Sequence, residues 1–393
     1  LFFQKREVPV ENQWKTARGD ESKHDVPHPA ILPDMPEPLK TPLYDAHVEA
    51  GGRMVEFAGY SMPVQYTGVI AESKAVREGA GMFDVSHMAR LRLTGDRVLE
   101  FLEHVTTNDV AKLQDGHGHY SLLPNAEGGL VDDIIVYRVS EGEYRMVVNA
   151  SNHAKDVAHL KSQNTFGVEI ADETDATAMI AVQGPKAAEI VAKMSDKPNL
   201  VKEVPFFSTL ETEIGGVQCF AARSGYTGED GYELVAKSDE SVKLWNALVA
   251  AGVVPCGLGS RDTLRVEAGL PLYGHELADD LSPIAAGLGW VISKTKSFLG
   301  SDAINRARKE GTDTKLQGVQ LEGKRLPQPG MTVQVDGRKV GTITSGVYSP
   351  LLERGVAFAF IDASVAQETA CTIDIRGKEE PAQVVNKRFF KRI

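Results

Sequence analysis

Three glycines at intervals of three residues punctuate the stretch Arg223-Ser224-Gly225-Tyr226-Thr227-Gly228-Glu229-Asp230-Gly231-Tyr232-Glu233. Cys219–Ala222 before it and Tyr232–Val235 after it read as strands, so the glycines force a tight loop between them. Glu233 emerges just beyond the loop. A carboxylate there can accept two parallel hydrogen bonds from an amidine-like heterocycle edge, and Tyr226 can stack or donate. The alternative is an ordinary hairpin with Glu233 facing solvent.

Three further segments carry candidate chemistry. In Gly128-Gly129-Leu130-Val131-Asp132-Asp133-Ile134-Ile135-Val136 a glycine turn feeds two carboxylates into an apolar strand. Adjacent strand side chains point to opposite faces, so only one aspartate can face a given pocket. That one can hold an amine or assist proton transfer, or the pair can be structural. In Gly259-Ser260-Arg261-Asp262 the serine suits a helix cap, and Arg261 in the first turn is placed to meet an anion or to pair with a neighbouring acid. In Phe83-Asp84-Val85-Ser86-His87-Met88 the Ser-His pair is adjacent and lacks a nucleophile context, so His87 reads as a structural histidine.

The chain has 393 residues, 42% hydrophobic and 25% charged. These values exclude bulk disorder, collagen and coiled coil, and the length predicts two to four domains. The net charge of −11 argues against nonspecific binding to nucleic acid or anionic membranes. Cys219, Cys256 and Cys371 are scattered, with no C-x-x-C spacing, and read as buried thiols in a reducing compartment. No transmembrane stretch or secretory signal is expected. No P-loop or G-x-S-x-G occurs. Gly257-Leu258-Gly259-Ser260-Arg261-Asp262 fails as a dinucleotide fingerprint because Asp262 stands where glycine is needed. His117-Gly118-His119 reads as an exposed loop, and no metal site is expected.

Residues 1–40, with five prolines from Pro27 to Pro38, read as an extended or disordered extension. Strands are expected at Ala89–Leu93, Ile134–Tyr137, Tyr144–Val148 and Ala178–Val182, and a helix carrying Val98, Leu99, Phe101, Leu102 and Val105. Gln183-Gly184-Pro185 is expected to open a second helix, and Ser238 to cap a third that ends near Gly252. Thr332–Val335, Asp336-Gly337 and Val340–Thr344 predict a hairpin in a C-terminal region rich in strands.

These motifs, in order, resemble the aminomethyltransferase (T-protein) family of the glycine cleavage system. The matching segments are Thr41-Pro42-Leu43-Tyr44-Asp45, the run from Phe57 to Tyr66, Met82 to Met88, Gly128-Gly129 with Asp132-Asp133, and Gln183-Gly184-Pro185. They continue with Gly225 to Gly231, Ala268-Gly269-Leu270 with Leu272-Tyr273-Gly274, and Gly341 to Gly346. The resemblance implies an α+β fold of three domains in a cloverleaf around a central folate pocket. Residues 41–300 would form a folate-binding region of two lobes and residues 313–393 a small β-barrel. It implies transfer of the methylene carbon from an aminomethyl group on lipoylated H-protein to tetrahydrofolate, the co-substrate. Ammonia, 5,10-methylenetetrahydrofolate and dihydrolipoyl H-protein would be the products.

Residue by residue, the resemblance makes Asp133 the catalytic aspartate, Glu233 the reader of the pterin edge, Tyr226 a folate contact and Arg261 the cation near the glutamate tail. Met88, Tyr120, Val147, Asn149 and Trp290 match further pocket positions. Two positions depart from the family pattern: Ala285 stands where some members carry Glu, and Gln328 where many carry Arg, with Lys324 or Arg325 as substitutes. Two relatives of the same architecture are alternatives, a folate-dependent sulfonium-compound demethylase and a non-catalytic folate-binding iron–sulfur-assembly protein. The expected compartment is a bacterial cytoplasm or a mitochondrial matrix. Because folate and H-protein are anionic, basic groups must be concentrated locally. Arg261 is the candidate for folate, and Lys387, Arg388, Lys391 and Arg392 form a cluster that reads either as an H-protein contact or as a solvated tail.

Overall fold

The computed structural model describes residues 37–392. The expectation for residues 1–36 lies outside them. Leu39–Lys40 is a short strand pairing in parallel with Tyr60–Ser61.

The architecture is α+β and multidomain, built on four sheets. A three-stranded sheet places Tyr60–Gln65 between Leu39–Lys40 and Arg53–Phe57. A six-stranded sheet runs in the order Thr209–Ile214, Val217–Ala222, Gly231–Lys237, Thr177–Gln183, Gly81–Asp84, Val254–Pro255. A five-stranded sheet follows the order His117–Pro124, Leu130–Ser140, Glu143–Val148, Ala89–Thr94, Glu169–Asp172. A closed six-stranded barrel covers Thr314 to Val385.

Local sequence explains much of this. In Glu143–Val148 the residues Tyr144, Met146 and Val148 alternate into the core. On the helix Val98–Val105, Val98, Phe101, Leu102 and Val105 recur at helical spacing and bury against the same sheet face. Asp336 and Gly337 both have positive φ (51° and 72°), the conformation that lets a two-residue turn match strand twist. All three cysteines are buried and unpaired.

Four local expectations are corrected. His117-Gly118-His119 lies in a strand, not a loop, because its backbone pairs with Val136–Arg138. The helix after Gln183-Gly184-Pro185 begins at Ala187, with Pro185 in the preceding turn. Ser238 opens a 3₁₀ turn, and the α-helix is Ser241–Ala250. Ser260 lies inside the helix Leu258–Ala268 and does not cap it. A tertiary carboxylate does that work: buried Glu72 accepts from Gly257 N at 2.8 Å and from Ser260 Oγ at 3.2 Å.

That helix ties the lobes to the barrel. Arg265, buried, donates to Asp262 (2.8 Å), Glu276 (3.0 Å) and the barrel's Ser345 Oγ (2.7 Å), and Ser345 Oγ donates to Glu276 (2.6 Å). Arg77 binds Glu229 (3.0 Å) and Glu267 (2.8 Å) and stacks over Phe390 near the C-terminus. Glu267 also accepts from Ser349 Oγ of the barrel at 2.6 Å. Low-exposure ion pairs of this kind are costly to break, because the survivor is stranded away from water.

Candidate active site

The glycine loop first builds a polar scaffold. Gln183 Nε2 donates to Ser224 O (2.9 Å), and Thr227 Oγ1 donates to Gln183 Oε1 (2.9 Å). A side chain at Gly225 would overlap the Gln183 carboxamide, and Gly228 has φ of +79°, so neither position accepts an ordinary L residue without strain. Ser224, fixed in this way, donates to Glu233 Oε2 at 2.6 Å and accepts from Tyr137 of the five-stranded sheet at 3.1 Å. Glu233 is therefore buried at 7% exposure and does not lie on a solvent-facing hairpin.

Arg261 lies beside this carboxylate. Its guanidinium stacks over the Tyr226 ring at 5.0 Å, and its Nη1 is buried with no hydrogen-bond partner among the described residues. Burial lowers its pKa, opposed by the charge of Glu233. Arg261 thus shares one end of the site with Glu233 and Tyr226. The Tyr226 hydroxyl donates to Pro271 O, and its pKa is raised by burial, with Asp133 also contributing.

The second half of the site rises from the five-stranded sheet. Asp132 is fully buried and accepts from Asn149 N (2.9 Å), Asn149 Nδ2 (2.9 Å) and Asn152 Nδ2 (2.6 Å). Asp133 points to the other face and keeps partial exposure. It accepts from the Tyr120 hydroxyl at 2.9 Å and from Asn149 Nδ2 at 2.8 Å. Burial and the Asp132 charge push its pKa up to about 7, against the lowering effect of Tyr120 and Asn149. The Tyr120 pKa moves well above its ordinary value, through burial and the adjacent Asp133. A carboxyl group poised near neutrality can take or hold a proton and can stabilise a cation.

Val147 and Met88, both partly buried, each pack against an apolar cluster containing Phe83 and Val85. Trp290 is 73% exposed, with its ring stacked over Tyr120 at 6.1 Å. His87 is buried and packs against Phe57 and Tyr60, and burial, with the Arg261 charge adding to it, pushes its pKa down to about 4. Two surface grooves, of about 490 and 640 Å3, are lined by none of these site residues: they run past Tyr60 and Asp175, and past Arg145 and Phe220. Arg325, a possible stand-in for the arginine missing at Gln328, pairs with Glu380 at 3.2 Å. Lys387 is not a solvated tail residue: it donates to Ala286 O at 3.0 Å, and burial pushes its pKa down to about 8.

Residues 43–296 match the model of the GCVT N-terminal domain, and residues 315–391 match the glycine cleavage T-protein C-terminal barrel domain. The chain belongs to the aminomethyltransferase (T-protein) family. It is 47% identical over 355 residues to an aminomethyltransferase of Deinococcus deserti, covering 90% of this chain and 97% of that protein. It is 46% identical over 345 residues to one from Thermus thermophilus, covering 87% and 96%. Among solved structures it resembles the glycine cleavage system aminomethyltransferase T from Bartonella henselae, with a TM-score of 0.84, 32% identity, and coverage of 90% and 98%.

Seen as a T-protein, the chain brings Asp133, Tyr120, Asn149, Tyr226, Glu233 and Arg261 into one linked region. Sequence reasoning missed Ser224 and Tyr137, which orient Glu233, as well as Asn152 and Asp156, which surround Asp132. Gln183 stood in a recognised motif, but only as a helix opener. Its work in the glycine loop is a contact 41 residues away and leaves no local pattern. Among the described residues no group of His, Cys, Asp and Glu is arranged to hold a metal ion, and no helix is long and apolar enough to cross a membrane.

Proposed function

We propose that this T-protein-family chain transfers the methylene carbon of an aminomethyl group on the lipoyl arm of H-protein to tetrahydrofolate: two bonds to folate nitrogens form, the carbon's bonds to nitrogen and to the lipoyl sulfur break, and the two folate N–H protons leave with ammonia and the dihydrolipoyl thiol. The observation that carries the reading is Asp133, a partly exposed aspartate with a pKa near neutrality, held by Tyr120 and Asn149 in the same region as Glu233, Tyr226 and Arg261.

The residues present suit a reduced pterin carrying an anionic tail. A buried carboxylate, Glu233, is oriented by Ser224 to accept N–H donors. The orphaned Arg261 Nη1 is a buried donor that lacks an acceptor, and such a group is stabilised by an anionic or carbonyl oxygen. Tetrahydrofolate, when bound, supplies the nitrogens that receive the carbon. Tyr226 and Val147 offer ring and aliphatic surface, and Met88 adds a polarizable contact.

Asp133 does the electrostatic work. Its carboxylate pairs with the positive charge that develops as the carbon–nitrogen bond to the departing ammonia breaks, and it can receive a proton from the attacking nitrogen. Tyr120 and Asn149 hold both oxygens, so the charge is aimed before substrate arrives.

The deciding assay mixes the protein with aminomethylated H-protein and tetrahydrofolate. Stoichiometric ammonia and methylenetetrahydrofolate are expected. Methyl transfer from a sulfonium compound instead, or folate binding with neither reaction, would replace this reading with one of its two relatives.

A further inference from the structure

Behind Asp133 lies a carboxyl group that the proposed chemistry does not use. Asp156, in the first turn of the helix His153–Gln163, is fully buried. Among the described residues no group donates a hydrogen bond to either of its oxygens. The group acting most strongly on it is another buried carboxyl group, Asp132. Asp132 in turn accepts the Asn149 amide, whose Nδ2 divides its hydrogens between Asp132 Oδ1 (2.9 Å) and Asp133 Oδ1 (2.8 Å). A hydrogen-bonded chain therefore runs from Asp132 through Asn149 to Asp133 and Tyr120, and the unpartnered Asp156 carboxyl lies at its buried end, beside Asp132.

We propose that Asp156 is a positioning residue: it keeps its proton, donates it to Asp132, and so sets the charge and the Asn149 geometry that hold Asp133.

Charge accounting supports this. The cation nearest the cluster, Lys155, is engaged with Tyr273 OH (2.6 Å) and Asp279 (3.0 Å). Three ionised aspartates would then be packed together with no cation bonded to any of them. Like charges at this range in a dry interior cannot all persist, and neighbouring carboxyls share a proton instead. The proton belongs on Asp156, because Asp132 already collects three N–H donors that only an acceptor satisfies. The helix N-terminus favours an anion at Asp156 by at most about 1–2 kcal/mol. Burial and the Asp132 charge outweigh it and push the Asp156 pKa up to about 10. The charged and titratable groups facing the pair are Lys155 from its own helix, Asp133 from the strand, Tyr120 from the neighbouring strand, and Tyr273 and Asp279 from the segment after the helix Leu258–Ala268.

The inference rests on the proposed role of Asp133, and two measurements separate the two. In the protein with 13C-labelled aspartate carboxyls, assigned by Asp156→Asn, the Asp156 signal should stay at the protonated position from pH 5 to pH 8. A carboxylate signal at pH 7 would overturn the inference whatever the activity. Kinetically, Asp156→Asn retains an N–H donor and should keep kcat within about threefold, with the same pH midpoint. Asp156→Ala should lower kcat about tenfold or more and shift the midpoint by half a unit or more, with KM for tetrahydrofolate unchanged. An unmoved midpoint in Asp156→Ala, or equal damage from the Asn variant, would show a merely structural residue. If Asp156→Ala does not fold, the carboxyl signal alone decides.

Discussion

The Tyr120 hydroxyl donates a 2.9 Å hydrogen bond to Asp133 Oδ2 across neighbouring strands, while Asn149 holds the other oxygen. This pairing opposes the burial that pushes the Asp133 pKa up to about 7. Tyr120→Phe should therefore raise that pKa further. A hydrogen bond to a charged group is worth about 1.5–3 kcal/mol. The ascending limb of kcat against pH should move up by about one unit or more, and activity at pH 7 should fall roughly tenfold. A superimposable profile would mean that Tyr120 does not tune Asp133.

Asp133→Ala removes the group assigned to the chemistry. Ammonia release from aminomethylated H-protein should drop by about 10²-fold or more. Tetrahydrofolate affinity by calorimetry should change little, because Glu233 and Arg261 remain. Near-wild-type turnover would end the assignment.

Gly225→Ala should act through the loop and not through the chemistry. The new methyl overlaps Gln183, which anchors Ser224, which orients Glu233. The expected outcome is a weaker tetrahydrofolate complex, by about tenfold, with a lower melting temperature. Unchanged affinity would separate the loop from the Glu233 site.

Asp84 links stability to pH. Burial works to raise its pKa, but hydrogen bonds from His47, Ser86 and Thr41 win and hold it down to about 2. Its unfolded pKa is about 4. The stabilisation is therefore fully present above about pH 4 and is lost as pH falls towards 2. The melting-temperature gap between wild type and Asp84→Asn should follow that window. A gap that stays constant from pH 5 to pH 2 would contradict it.

Glu276→Ala takes from the buried Arg265 its fully buried carboxylate partner, leaving it only the partly exposed Asp262, and removes the acceptor of Ser345. Breaking a buried pair costs about 3–5 kcal/mol. Urea denaturation should report a loss of that order, with faster proteolysis between the lobes and the barrel. A loss below about 1 kcal/mol would show that this junction contributes little.

Local grammar was legible where backbone and side-chain pattern coincide. The alternating strand Glu143–Val148, the amphipathic helix Val98–Val105 and the Asp336-Gly337 turn each bury one face or adopt one turn for reasons contained within a few residues. Reading failed where a distant group overrode a local signal. Ser260 looks like a cap, but Glu72 supplies the acceptor from another helix. His117 and His119 look like loop residues, yet strand pairing takes their backbone into the five-stranded sheet.

The sequence by itself determined the tight glycine loop, the opposed faces of Asp132 and Asp133, and the ordered motifs that identify the family. Glycine φ angles and strand alternation are properties of the chain, indifferent to what packs around it. Only the tertiary structure decided that Glu233 is buried beneath Ser224 and beside Arg261, and that Asp133 titrates near neutrality. A pKa or an oriented carboxylate depends on burial and on charges brought close in space, and those neighbours lie tens of residues away along the chain.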